Sequence, residues 1–161
     1  MKRVKLDAID LQILTELQAD GRITNVDLSE KVGISAPPCL RRVRALEKAG
    51  LIHGYHADLN GKALGFEVTV FAMVGLHSQA EADLKSFEAL VGTWPLVREC
   101  HMLNGDIDFI LKCVAPDLST FQNFLTGELT PAPNVASVRT SLTIRQSKHL
   151  PGVPLEALAE E

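Results

Sequence analysis

Four cations stand within eight positions, Arg41, Arg42, Arg44 and Lys48, with Glu47 the one acid among them. Guanidinium groups pair with phosphates and with guanine edges, so such a run on one helix can read DNA. The same run can also be an ordinary solvated face. Arg42 lies beside Val43 and could instead pair with an acid inside its own domain. Ser35, Ala36, Pro37 and Pro38 open the same segment, where a helix N-terminus favours a phosphate. Thr24 and Asn25, at the start of the preceding helix, complete the candidate contacts. A second constellation is Met102-Leu-Asn-Gly-Asp-Ile-Asp108. On a strand, Asp106 and Asp108 would project to one side. Gly105 would leave backbone N–H groups open at the turn. Carboxylates for an ammonium and amides for a carboxylate suit an amino-acid ligand. The competing reading is a hairpin in which Asp and Gly serve only the turn. A metal reading is weaker, because the rest of an EF-hand loop is missing.

The other reactive side chains group into nothing. Cys39 falls near the buried face of a helix, and Cys100 and Cys113 lack the CxxC spacing of a zinc site. His53 and His56 could touch phosphates, whereas His101 and His149 have no evident acid or nucleophile partner. There is no GxSxG, HExxH or P-loop, so an enzyme has no support from motifs and no cofactor is expected.

The first part of the chain reads as three short helices. One runs from an N-cap at Asp7 to Asp20-Gly21, with Leu6, Ile9, Ile13 and Leu17 on one stripe. Leu11 and Leu14 widen that stripe, which predicts a helix buried between neighbours. The second starts at Thr24, with Asp27 in the place of a capping-box acid, and Gly33 stops it. The third starts at Ser35, because Pro37 and Pro38 fit only a first turn. Its expected buried face is Leu40, Val43 and Leu46, and residues 51–59 read as a short strand or wing. Thr24–Ala49 thus has the dimensions of a helix-turn-helix.

The second part reads as β-α-β-β-α-β. Residues 66–76 form a strand, and Ser78-Gln-Ala-Glu81 is a capping box before a helix with Leu84, Phe87 and Val91 inward. Residues 96–103 and 107–114 form a hairpin around a tight Asn104-Gly105-Asp106 turn. Pro116-Asp117 opens a helix with Leu118, Phe121 and Leu125 on one face, and residues 134–145 form the last strand. That order predicts a four-stranded antiparallel sheet in the ferredoxin-like arrangement. The tail from Leu150, with two prolines, is either a loose arm or a packing segment.

The chain has 161 residues, 46% of them hydrophobic, enough for a packed core. Three cysteines argue against a disulfide-stapled scaffold. Asp7 and Asp10 interrupt any signal-peptide core after the basic start, so a cytoplasmic protein with no membrane partner is expected. The net charge of −4 would by itself argue against nucleic acid. It is unevenly spread: residues 1–60 hold nine Lys/Arg against eight Asp/Glu, and residues 61–161 hold seven against twelve. The expected domains are 1–60, 61–150 and a tail at 151–161.

With these elements in place, the chain resembles the Lrp/AsnC family, the leucine-responsive or feast/famine regulators, over roughly residues 5–150. The stretches that carry the likeness are Leu6–Leu14, Pro38–Val43, Leu46–Tyr55 and Glu99–Lys112. The resemblance implies an α+β protein, a winged helix-turn-helix followed by a ferredoxin-like sensing and assembly domain. It implies double-stranded DNA as partner, an amino-acid effector such as leucine, and dimers that assemble further, often to octamers. A nucleoid-associated cytoplasmic regulator follows. By position, the effector pocket would comprise Met102, Asn104, Gly105, Asp106, Asp108, Leu118, Thr140, Ser141 and Leu142. Thr143 stands where the leucine-responsive branch tends to have an aliphatic residue. Two alternatives share the resemblance: a siroheme decarboxylase-like enzyme subunit, and a ligand-independent DNA organiser.

Overall fold

The computed structural model describes residues 5–158. The basic start at Met1–Val4 and the last three residues of the tail lie outside the described residues. Two compact units are formed. One contains the chain up to Asp58 together with the segment from Lys148, and the other is Leu59–Ser147. The closing segment, expected as a separate tail, therefore belongs to the first unit.

In the first unit, α1 (Ala8–Ala19), α2 (Asn25–Lys31) and α3 (Ala36–Lys48) pack around Ile13, Leu28, Val32, Cys39, Val43 and Leu46. Asp7 caps α1 as expected, accepting from the Asp10 N–H at 2.8 Å while Asp10 accepts in return. Thr24 caps α2 by accepting from the Asp27 N–H, while its hydroxyl donates to the Asp27 carboxylate. Two expectations fail here, and of the strand or wing expected at 51–59 the strand is absent. Only Ile13 of α1 is buried, so this helix is not enclosed by neighbours. On α3, Cys39 fills the core in place of Leu40, which is 38% exposed, because positions 39, 43 and 46 share a face that position 40 leaves by about 100°. Residues 52–60 form no strand, since the chain runs on to Gly61 with no ladder partner; Tyr55 anchors the stretch by donating to Glu47 at 2.9 Å.

In the second unit, the order is β1 (Val68–Leu76), α4 (Glu81–Val91), β2 (Val97–Met102), β3 (Phe109–Ala115), α5 (Leu118–Phe124) and β4 (Val135–Leu142). The strands form one antiparallel sheet in the order β2-β3-β1-β4, as expected for the ferredoxin-like arrangement. Period-2 burial on β1 and β3 turns Val70, Ala72, Val74, Phe109, Leu111 and Cys113 toward Phe87, Val91, Trp94, Phe121 and Phe124. Ring centroids lie 4.9 Å apart in the tilted pair Phe87–Phe109 and 5.3 Å apart in the edge-to-face pair Trp94–Phe124.

The start of α4 and the buried face of α5 differ from expectation. Ser78 is no cap: Asn134, at φ 67°, accepts from the Ser78 N–H and donates to its carbonyl, which holds Ser78 in the loop and makes Ala80 the N-cap. The Ser78 hydroxyl donates to Asp83 rather than meeting Glu81. On α5, Phe124 is buried with Phe121, while Leu118 is 46% exposed. The helix widens into a π-turn at Leu125–Leu129, which brings Leu129 into the core.

Candidate nucleic-acid and effector sites

The α3 surface is sorted by helical geometry. At about 100° per residue, Arg41, Arg44 and Lys48 fall within about 60° of one another and opposite Cys39, Val43 and Leu46. All three cations are exposed. Pro37, four residues before Arg41, extends the same stripe. Glu47, the one acid, stands off the stripe and accepts the Tyr55 hydroxyl. Burial and this bond push the Tyr55 phenol up to about 12.

Arg42 does not join the stripe. Its Nη1 donates to Asp10 at 2.7 Å and to Asp7 at 2.8 Å, tying α3 to the start of α1. Its hydrogen bonds to these two acids hold the guanidinium charged, and Asp7 is kept below the usual carboxylate range by the Asp10 N–H and then Arg42. Arg42 is therefore a strut inside the unit, the alternative raised by its place beside Val43.

The start of α3 departs from a standard anion site. Ser35 is the N-cap, but its hydroxyl accepts no cap bond. The reason is covalent: an N-cap oxygen bonds the N–H of the second or third helical residue, and those residues are Pro37 and Pro38. The Ser35 hydroxyl and the Ala36 N–H are left for an outside partner. Asn25 donates to the Ala36 carbonyl at 2.9 Å, so it positions α3 on α2. The Thr24 hydroxyl is engaged with Asp27. His53 and His56 are exposed.

In the second unit, the Asn104–Asp106 connection is longer than a tight turn. The ladder closes at Leu103, whose N–H donates to the Asp108 carbonyl at 2.8 Å, and β3 starts only at Phe109. Neither aspartate is thus on a strand, so the strand geometry expected to turn both to one side is absent. Asp106 is exposed. Asp108 turns back: its carboxylate accepts from the Leu76 N–H at 2.6 Å and from the Gln79 amide at 2.8 Å. It secures the loop to the β1–α4 junction. Sequence reasoning missed Gln79, because its partner lies 29 residues away with no local signal.

The remaining pocket candidates do not converge within one chain. Val74 pairs with Phe109 and Val68 with Ala115, six residues further along β1, which is about 20 Å. Met102 and the 103–108 loop lie at the Phe109 end. Leu118 follows the Ala115 end, Leu142 pairs with Val70 near it, and Thr140 and Ser141 lie between. Met102, Leu118 and Leu142 are 59%, 46% and 54% exposed. Thr143 leaves its hydroxyl buried without a partner, while its N–H donates to Thr69. Among the described residues no three His, Cys, Asp or Glu side chains are grouped to hold a metal. Cys113 is pushed up to about 11 by burial, and Cys39 is raised for the same reason.

Comparison with known proteins places these two units. The winged helix-turn-helix DNA-binding family matches residues 6–53, and the Lrp/AsnC ligand binding domain family matches residues 69–153. The leucine-responsive regulatory protein of Rhizobium meliloti is 62% identical, over 91% of this chain and 94% of that one. The protein of that name from Escherichia coli is 42% identical, over 89% and 87%. Among solved structures, a transcriptional regulator of Neisseria meningitidis in complex with L-Met superposes with a TM-score of 0.91 at 35% identity, covering 96% of this chain and 99% of that one. An AsnC family regulator from Agrobacterium tumefaciens superposes with a TM-score of 0.89 at 31% identity, covering 95% and 99%. These matches set the decarboxylase alternative aside. The chain belongs to the Lrp/AsnC family: it is a DNA-binding transcriptional regulator with an effector-binding domain, and not an enzyme.

Proposed function

We propose that this regulator docks α3 in the major groove through Pro37, Arg41, Arg44 and Lys48, with Ser35 and the Ala36 N–H meeting the backbone at the helix start. The observation that carries the reading is the alignment of three exposed cations opposite the buried face of α3. Arg42 is left out of the contact set, and Thr24, Asn25 and Pro38 shape the helix start rather than touch bases. An electrophoretic titration with Arg41→Ala tests it; unchanged affinity removes Arg41 from the interface.

The second unit senses an amino acid with an apolar side chain, leucine or methionine. Three exposed apolar side chains, Met102, Leu118 and Leu142, support that chemistry, as do the Asp106 carboxylate and the open loop amides. Because these groups lie at both ends of the sheet, a complete pocket needs two copies. That argues for an effector site between dimers, and for an assembly that is a multiple of dimers, such as an octamer. The protein acts in the cytoplasm, on the nucleoid; no helix among the described residues is long and apolar enough to cross a membrane. Isothermal titration with L-leucine and L-methionine tests the pocket. Asp106→Ala is expected to weaken binding by direct loss of an ammonium partner, and Asp108→Ala by releasing the loop. Wild-type binding in both variants rejects the assignment.

A further inference from the structure

The segment from Lys148 packs on the DNA-binding unit, although it follows β4 of the sensing unit in the chain. Three features dock it on α1. The Gln18 side-chain amide makes both bonds of a peptide ladder with Val153, donating to its carbonyl at 2.8 Å and accepting from its N–H at 2.9 Å. Gly152 has a φ of 76°, and a Cβ there would strike the Gln18 amide. Leu155, in the short helix Leu155–Leu158, is 8% exposed beside Leu11 and Thr15. A loose arm needs none of these.

The docking helix is also the hub of the helix-turn-helix. Gln12 of α1 donates to the Lys31 carbonyl at 2.9 Å, and Glu16 pairs with the Lys31 ammonium at 2.6 Å, so α1 holds the end of α2. Asp7 and Asp10 hold Arg42 of α3. The sensing unit is therefore joined to the DNA-binding unit by two covalent crossings, at 58–59 and at 147–148. The second ends on α1, which holds both α2 and α3.

We propose that residues 148–158 are a coupling strap, with Gln18 as its latch, through which the state of the sensing sheet reaches α3. Gln18 and Gly152 are positioning residues; neither belongs to the DNA or effector contact sets. The coupling is a free energy linking the two sites, and it is separable from either affinity. The inference rests on the effector reading above for one of its two tests.

The experiment compares the full-length wild type with Gln18→Ala and, independently, Gly152→Ala. The probe is a duplex that the wild type selects from a random pool, with and without L-leucine or L-methionine. Both variants are expected to keep their amino-acid affinity, while the ratio of DNA affinities with and without amino acid falls to within about twofold of one. A merely structural role would lower the melting temperature and leave that ratio at its wild-type value, which overturns the proposal. Hydrogen exchange gives the second test, without any amino acid. DNA is expected to change exchange in residues 148–158 and in β4 of the wild type, and the β4 change is expected to vanish in Gln18→Ala. If β4 exchange ignores DNA in the wild type, the strap does not couple. If amino acids leave wild-type DNA affinity unaltered while the exchange result holds, the effector reading fails and the strap stands.

Discussion

Arg41 and Arg42 are neighbours in sequence, yet Arg41 is exposed and Arg42 is paired with Asp7 and Asp10, and under the proposed docking salt dependence separates them. Consider Arg41→Ala and Arg42→Ala in parallel. A dimer presenting two α3 stripes offers Arg41, Arg44 and Lys48 twice. If all six cations meet phosphates, log affinity falls with log salt at a slope of about −5, taking about −0.9 per neutralised phosphate. Raising salt fourfold then weakens binding about 10³-fold. Arg41→Ala leaves four cations, a slope of about −3.6 and a loss of about 10² over the same interval. A base-edge contact by Arg41 would instead leave the slope alone and relax sequence preference.

Arg42→Ala makes the contrasting case. Its guanidinium already donates to Asp7 and Asp10, so no counterion is released when DNA binds. The slope is expected to match the wild type, while the melting temperature of the first unit falls. Fluorescence anisotropy at four or five salt concentrations measures both slopes, with thermal melts run on the same samples. A slope that falls for Arg42→Ala by as much as for Arg41→Ala refutes the assignment of the stripe. So does an unchanged slope, affinity and sequence preference for Arg41→Ala.

Three further outcomes follow from local geometry. Thr24→Ala is expected to destabilise the first unit by about 1 kcal/mol, as a working N-cap does, whereas Ser35→Ala costs only a few tenths because its cap donors are prolines; equal shifts in denaturant midpoint would contradict this. Ile13 is fully buried, so Ile13→Ala is expected to cost about 3 kcal/mol and lower the first unit's melting by roughly 10–25 °C. Calorimetry should then show the second unit's transition unmoved, since its core is separate, and a joint shift of both would show one cooperative core. Glu99 is held below the usual carboxylate range by the hydrogen bond from Lys112, at 2.6 Å, with His101 adding to it. Its folded value is depressed, so its contribution is complete above the ordinary value of 4.5 and is lost as pH falls through the folded one. Lys112→Met should remove that part of the acid sensitivity in melts across pH 2–6, and an unchanged profile would sever the pair.

Much of the fold was legible because its signals are local. The caps at Asp7, Thr24 and Asp117, the proline pair at Pro37-Pro38 and the period-2 runs of β1 and β3 each act within a few residues. The failures share a different cause. Ser78-x-x-Glu81 has the spacing of a capping box, but Asn134, 56 residues on, holds Ser78 first. Leu40 and Cys39 are both apolar enough for a core, and it is Cys39 that shares the buried face with Val43 and Leu46. The C-terminal segment is bound by a glutamine 135 residues earlier, which no periodicity announces.

The candidate sites divide along the same line. On α3 the cationic stripe is a property of one helix, and the spacing 41, 44, 48 carries it without tertiary help. Arg42 stands about 100° from Arg41 and so off the stripe, and the N-cap Asp7 and first-turn Asp10 of α1 hold it there. The effector loop is a different case. Asp108 looked like a ligand because a carboxylate beside a glycine turn suits an ammonium, yet in the folded chain both its oxygens hold the protein's own donors. A substituent at Asp108 therefore changes the loop before it changes any ligand contact. Loss of effector response in an Asp108 variant is consequently no evidence of direct contact. Asp106, exposed at the tip of the same loop, is the residue whose substitution separates recognition from positioning.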